Sequence, residues 1–340
     1  GYLFTLYIPN IIFGILMIFL TCKIHKDILN KEYPIISGLI LSTTFLWINY
    51  FHMATQDIIF ASIVTFGIYS TIRSYKTNKN YYHFLSGAWI GLAVMLKTYL
   101  VVIPSIAIFP FLWKSKILKN TYFWLGLLAG FIPFMIWSYL TISNYGWINF
   151  QGLFTKLISL SSNNEFTNPF YYYLWNFPLN SMPWSIFSLI ALMKVSLIKQ
   201  NKLANYFLFK YPIIIIILLS IFSTKTPYYP IQILSLTSIN AYLGIEYIFK
   251  NKSKFSKYFQ IIFFLIPLLI LLSLIFIDFK NLLNAYDSHQ INLAKLALIS
   301  FSLSWLSILF TKNYLRKFSL IIIGPYLMIA LLIYSGSLND

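Results

Sequence analysis

The chain has 340 residues, of which 59% are apolar and only 10% charged. Soluble domains carry about 25% charged residues, so this composition cannot cover a water-facing surface and excludes a soluble globular protein. The net charge of +17 comes in short clusters between apolar runs, with no continuous basic face, which argues against nucleic acid as a partner.

Apolar runs of membrane-spanning length recur from end to end; a bilayer core needs roughly 20 mostly apolar helical residues. The expected fold class is therefore all-α, a polytopic integral membrane protein forming a single transmembrane domain over residues 1–340. The chain opens with "GYLFTLYIPN", without initiator Met or charged leader, and reads as beginning inside a longer protein. Basic clusters at 23–31, 73–79, 114–119, 199–202, 250–257 and 312–317 mark cytoplasmic loops by the positive-inside rule. Weakly basic turns between them, at 52–57, 97–99, 143–177, 224–230 and 279–290, then face outward.

The predicted spans run, in order, over 6–22, 34–51, 58–72, 84–96, 99–113 and 121–142. They continue over 178–197, 205–222, 231–249, 258–278, 291–311 and 318–335, giving about twelve transmembrane helices with both chain ends outside. The long outer segment 143–177 contains "WINFQGLFTKLISL", whose apolar residues recur at helical spacing. It is expected to form an amphipathic helix lying in the outer interface.

Two isolated cations stand at outer helix junctions. Lys225 sits in "STKTPYYPIQILSL", in a turn bracketed by Pro227 and Pro230, which restrict the backbone around it. It reads either as a snorkelling interface anchor or as a partner for a phosphate. Tyr228 and Tyr229 beside it supply anchoring and hydroxyl donors. Lys97, in "LAVMLKTYLVV", is the second such cation. An ionisable group at membrane depth is a functional hypothesis by default, so the two lysines read either as a candidate clamp for a phosphate or pyrophosphate or as two unrelated snorkelling lysines. Asp57, in "FHMATQDIIF" beside His52, stands at an outer mouth. It could be a general base, a metal ligand, or a carboxylate at the start of the following helix.

Several signatures are absent from the sequence: Walker loop, dinucleotide glycine fingerprint, HExxH and GxSxG. Cys22 is the single cysteine, so neither a disulfide framework nor a cysteine-based metal site is available. Few charged residues lie inside the spans, which gives ion-coupled transport little support.

Four stretches carry a family resemblance. "NPFYYYLWNFPLNSMPWSIFSLIAL" (168–192) resembles the segment that lipid-linked-sugar glycosyltransferases of the GT-C type place before a mid-chain span, with a Pro-Phe-aromatic-Tyr-Tyr element at Pro169 to Tyr173 and the Pro183-Trp184 pair. These are relatives of the protein O-mannosyltransferases and of the lipid A aminoarabinose transferase. "TKTPYYPIQILSLTSINAYLG" resembles the family's Lys-x-Pro-x-Tyr turn, "GAWIGLAVMLKTYLVVIPSIAI" its Gly-Leu-Ala…Lys segment, and "HMATQD" its Arg-x-x-x-x-Asp outer turn. The match runs in order to about residue 250, and beyond that only hydropathy agrees. The family has one more crossing and a cytoplasmic N-terminus, so the resemblance implies that the family's first helix is missing here. The catalytic acid of the first outer loop would then precede residue 1. Two departures stand out: His52 replaces the family's Arg, and "NNEFTNPF" lacks a His that some members carry there.

The resemblance implies transfer of a hexosyl or pentosyl group from a polyprenyl-phosphate donor to a lipid, glycan or protein acceptor. The site would be on the periplasmic or extracytoplasmic face of the plasma (inner) membrane. Lys225 and Lys97 would stabilise the leaving phosphate, and Tyr228 and Tyr229 would add hydrogen bonds or line a lipid groove. Asp57 would be the catalytic-site carboxylate present in this chain, orienting the acceptor or assisting the missing base, and His52, Tyr171, Tyr172 and Trp184 would shape the substrate cavity. No metal ligand is assigned, although a divalent metal is left as a possible cofactor. The alternative reading is a lipid or polysaccharide flippase without transferase activity.

Overall fold

The computed structural model describes residues 2–53, 55–162, 168–194, 201–222, 224–250, 258, 260–276 and 288–335. Every element of three residues or more among them is helical. The chain divides into two compact units, Gly1–Tyr242 and Leu243–Asp340.

The first unit begins with α1 (Tyr2–Leu29), α2 (Ile35–Ser42), α3 (Phe45–Phe51) and α4 (Gln56–Thr77). Asp27 near the end of α1 pairs with Arg73 at 3.2 Å and Lys76 at 3.0 Å near the end of α4. At the opposite end, the Asn10 amide donates to the Met53 carbonyl just before α4. The two helices therefore run in the same direction, and α2 and α3 carry the chain back between them. The predicted single span 34–51 is broken there. Thr43 and Thr44 turn their hydroxyls onto the Leu39 and Ile40 carbonyls, each at 2.9 Å, a local bond that competes with helix continuation.

α4 and α5 (Asn80–Leu96) form a hairpin through Asn78, whose φ of 51° is left-handed. Asn78 Oδ1 meets His83 Nε2 at 3.0 Å, and His83 Nδ1 meets Ser74 Oγ at 2.7 Å, so side chains stitch the turn. α6 (Val102–Lys114) follows, and α7 (Thr121–Tyr145) then packs back along α5. Glycines allow that approach. A Cβ at Gly87 would lie 2.0 Å from the Phe123 carbonyl oxygen, one at Gly126 1.9 Å from that of Phe84, and one at Gly130 2.1 Å from that of Ala88. Small residues four apart on facing helices are the membrane solution for close backbone contact.

α8 (Trp147–Ser162) is a helix within the segment 143–177. α9 (Tyr172–Asn180) and α10 (Ser185–Met193) then divide the predicted span 178–197 at a turn containing the cis Met182–Pro183 bond. Pro183 has no N–H to continue a helix. α11 (Lys202–Ile221) includes a π segment at Asn205–Lys210. A 3₁₀ turn, Tyr229–Ile233, leads into α12 (Leu234–Lys250), whose residues to Tyr242 belong to the first unit.

The second unit contains the rest of α12, α13 (Ile262–Phe276), α14 (Ser288–Phe310) and α15 (Tyr314–Tyr334). Its core is aromatic: Phe263 packs on Trp305 at 5.5 Å and Phe301 on Trp305 at 4.6 Å, while the Trp305 indole donates to the Ile321 carbonyl at 3.2 Å.

Six helices among the described residues are long and apolar enough to cross a membrane: Tyr7–Leu29, Gln56–Thr77, Thr121–Tyr145, Lys202–Ile221, Ser288–Phe310 and Tyr314–Tyr334. Val102–Lys114 and Ile262–Ile275 are apolar but shorter. The chain is a multi-pass helical membrane protein. The remaining expected crossings are short helices or broken pairs. The expected outer turn 279–290 and the cluster 250–257 lie mostly outside the described residues.

Candidate active site

Asp57 lies in the first turn of α4, where a carboxylate suits the positive end of the helix dipole. Its oxygen accepts from the Lys97 ammonium rather than from amides of its own helix. Lys97 is the residue that ends α5: its N–H still bonds the Ala93 carbonyl at 3.0 Å, while its φ of −142° leaves the helix. Both side chains are largely shielded, with exposures of 18% for Lys97 and 11% for Asp57. The same ammonium lies 4.7 Å from the centroid of the Tyr228 ring, within cation–π range.

Tyr228 sits in a ring of tyrosines. It packs on Tyr50 at 5.4 Å and edge-on to Tyr229 at 5.0 Å, and the Tyr229 hydroxyl meets that of Tyr99 at 3.4 Å. Burial, with the Tyr99 hydroxyl next in effect, pushes the Tyr229 phenol up from its ordinary pKa. The Tyr229 phenol therefore stays protonated and able to donate.

Lys225 is only 4% exposed. Its ammonium donates to the Phe222 carbonyl at 2.6 Å and to the Asn168 carbonyl at 2.9 Å, and the Asn168 amide returns a bond to the Lys225 carbonyl at 3.2 Å. Tyr173 completes the clasp: its hydroxyl donates to the Thr226 carbonyl at 3.0 Å and lies 3.2 Å from the Thr226 N–H. The turn 224–228 is thus pinned to the start of α9. Burial lowers the pKa of the Lys225 ammonium.

The two lysines singled out in the sequence therefore belong to one end of the unit, since Lys97 touches a residue of the Lys225 turn. Asp57, Lys97, Tyr228 and Tyr229 form one connected group, with Lys225 behind them. Tyr172 is buried and packs edge-on to Tyr173 at 5.1 Å. Tyr171, adjacent to it, is 59% exposed. His52 turns a ring nitrogen to the Ile48 carbonyl of its own helix at 3.0 Å, ending α3. Trp184 is buried and donates to Thr43 Oγ1 at 3.0 Å, bridging the breaks in the two divided spans. Among the described residues no three His, Cys, Asp or Glu side chains are grouped to hold a metal ion; His52 and Asp57 alone do not make a donor set.

Sequence reasoning missed Tyr50, Tyr99, Tyr173, Asn168 and Thr226. Tyr99 and Tyr173 are close neighbours of residues already chosen, so helical phase was the available signal. Asn168 accepts from Lys225 through its main-chain carbonyl and donates to the Lys225 carbonyl through its amide, and partners that are carbonyls leave no residue pattern to read.

An apolar cavity of about 280 Å³ adjoins the clasp, lined by Tyr173, Phe177, Trp184, Ile213, Ile217 and Ile233 among others. Tyr173 links the two features, with its ring in the cavity wall and its hydroxyl on the Lys225 turn.

Residues 2–139 match the family model described as dolichyl-phosphate-mannose-protein mannosyltransferase. No curated protein matches the chain in sequence. Among solved structures, ArnT from Cupriavidus metallidurans bound to undecaprenyl phosphate superposes with a TM-score of 0.77 at 14% identity, covering 98% of this chain and 63% of that one. Its apo state gives 0.77 at 15% identity, with 98% and 62% covered. The chain thus spans a little less than two thirds of the length of the structures it matches. In sequence over residues 2–139 and in fold over 98% of its length, it resembles the GT-C glycosyltransferases represented by these two groups.

Proposed function

We propose that this chain is a membrane glycosyltransferase that moves a sugar from a polyprenyl-phosphate donor to an acceptor on the extracytoplasmic face. The observation that carries the reading is the placement of Lys97. It is held between the Asp57 carboxylate and the Tyr228 ring, beside the turn that Tyr173 joins to an apolar cavity. A polyprenyl phosphate is an anionic head on a long apolar tail, and these two features match it. The likeness to ArnT bound to undecaprenyl phosphate supports the same donor class.

In the transfer, the bond between the anomeric carbon and the phosphate oxygen breaks and the phosphate keeps the electron pair. The acceptor hydroxyl attacks from the opposite face, and its proton passes to a carboxylate. Negative charge grows on the phosphate in the transition state, where a positioned cation in a shielded site is most effective. Lys97 supplies that cation by turning from Asp57 to the phosphate. The turn frees Asp57 to orient the acceptor hydroxyl or take its proton. Tyr228 and Tyr229 donate to phosphate oxygens, and Lys225 holds the turn that presents them while adding positive potential. His52, Tyr171 and Tyr172 form the rim of the substrate cavity, and Trp184 lies deeper, along the tail groove.

The test is sugar transfer by the full-length protein in proteoliposomes supplied with a polyprenyl-phosphate sugar. Asp57→Asn and Lys97→Met should each lower turnover by about 100-fold, the scale of a lost positioned acid–base group, with membrane insertion unchanged. Wild-type turnover in both variants would overturn the assignment.

A further inference from the structure

A second polar cavity lies at the other end of the first unit. It has a volume of about 340 Å³ and is lined by Tyr75, Phe111, Lys114, Ser115, Lys202, Asn205, Tyr206 and Lys210. Tyr75 lies on α4, 18 residues beyond Asp57, so about 27 Å of helix separates this cavity from the candidate active site. It is on the side of the Asp27–Arg73–Lys76 network and of the sequence clusters 114–119 and 199–202, which the positive-inside rule places in the cytoplasm.

Three lysines converge on this cavity from two helices. Among the described residues none of their ammonium groups meets a carboxylate: Asp27 is taken by Arg73 and Lys76, Asp57 by Lys97, and Glu246 by Lys250. Lys210 stands eight residues into the apolar helix Lys202–Ile221, about 12 Å along its axis. It is exposed there, level with Lys114 and Tyr75 at the ends of their helices, where a basic group attracts an anionic headgroup.

The π segment is what brings Lys210 here. Residues five apart point about 140° away from each other on an α-helix. In the π turn Asn205–Lys210 the hydrogen bonds run to the fifth residue, which draws Asn205 and Lys210 onto one face. Both then line the cavity. The Tyr206 hydroxyl fixes that turn to α6 by donating to the Ala107 carbonyl at 2.6 Å. Phe111 closes the floor between Tyr75 at 5.5 Å and Phe207 at 4.8 Å. Trp113, next to Lys114, is 69% exposed and packs on the half-exposed Phe109 at 5.9 Å. Exposed aromatics beside lysines mark the headgroup level of a bilayer.

We infer that this cavity binds the phosphate of an anionic phospholipid headgroup from the cytoplasmic leaflet, held by Lys114, Lys202 and Lys210, with the Asn205 amide and Tyr75 hydroxyl donating. The site needs no sugar chemistry and stands independently of the proposed transfer reaction. It ties a lipid to α4, α6 and α11 at the end opposite the Asp57 site. The cytoplasmic leaflet supplies anionic lipid, attracted by each basic group near its surface.

The test uses the full-length protein in phosphatidylcholine nanodiscs with and without phosphatidylglycerol, with lipid retention read by native mass spectrometry and unfolding by heat. Wild type should retain phosphatidylglycerol over phosphatidylcholine and unfold at higher temperature when it is present. The triple variant Lys114→Gln, Lys202→Gln, Lys210→Gln should weaken that retention by about 100-fold, while Lys116→Gln with Lys119→Gln should not. If the triple variant does not accumulate, Lys210→Gln alone should lose about fivefold. An equal thermal shift from glycerol phosphate or inorganic phosphate in phosphatidylcholine would assign the site to soluble phosphate and overturn the lipid. Unchanged retention in the variants would overturn the site.

Discussion

Lys97 and Asp57, forty residues apart in sequence, close an ion pair between the last residue of the α4–α5 hairpin and its first turn. The hairpin returns the chain to the end where it began. A residue ending α5 therefore meets one starting α4, and the pair forms against the Tyr228 ring contributed by a third segment. A cation held by a carboxylate and an aromatic face is restrained but not locked, which suits a group that must exchange one anion for another.

That exchange predicts strong coupling between the two residues. In a double-mutant cycle of Asp57→Asn and Lys97→Met, each single change should remove most transfer, and the double should be little worse than either alone. A coupling of about 0.5–3 kcal/mol is the usual range for residues in one network. Steady-state turnover of all four proteins measures it, and strict additivity would mean that the pair does not act as a unit.

The Tyr228 ring has a separable role from its hydroxyl. Tyr228→Phe keeps the face that Lys97 rests on, whereas Tyr228→Leu removes it. The cation–π contribution of about 0.5–2 kcal/mol predicts a clearly lower kcat/KM for Leu than for Phe. Equal values would assign Tyr228 to hydroxyl donation alone.

Lys225 predicts a pH dependence. Burial holds its folded pKa below the ordinary value of 10.5, so in the window between the two values the unfolded chain binds the proton more than the native one does. Stability therefore rises with pH through that window, and the gain is complete above 10.5. Thermal unfolding of wild type relative to Lys225→Met should show this upward slope, and added polyprenyl phosphate should flatten it by favouring the charged form. The Met variant also strands the Phe222 and Asn168 carbonyls, at a cost of about 1–3 kcal/mol.

The α5–α7 contact predicts a steric result. Gly126→Ala would place a Cβ 1.9 Å from the Phe84 carbonyl oxygen, and a backbone atom cannot swing aside. Overpacking of this kind costs about 1–3 kcal/mol, read as a lowered Tm in detergent. Gly152→Ala, with nothing within 4 Å, is the matched control and should be neutral or slightly stabilising.

How much was legible in the sequence differs from element to element. The Lys225 turn stood out because lysine is scarce between apolar runs on that side, and Asp57 and Lys97 stood out for the same reason. Their chemistry was visible as charge in the wrong solvent. Their partners were not. The pairing of Asp57 with Lys97 depends on where a hairpin closes, and the seat of Lys225 depends on carbonyls, which every residue carries alike. The spans 34–51 and 178–197 looked continuous because hydropathy sums over a window, while the Thr43–Thr44 back-bonds and the Pro183 turn act on single residues.

The sequence by itself determined that this chain is helical and crosses a membrane repeatedly, because 59% apolar residues in long runs admit no other solvent. It also determined which cations and which carboxylate are out of place. Only the tertiary structure decided that the carboxylate and one cation neutralise each other, that the second cation clasps a turn, and that three further lysines share a cavity far away. Hydropathy is a sum along the chain, readable without folding, whereas an ion pair or a cavity is a relation between segments that exists only once they are packed together.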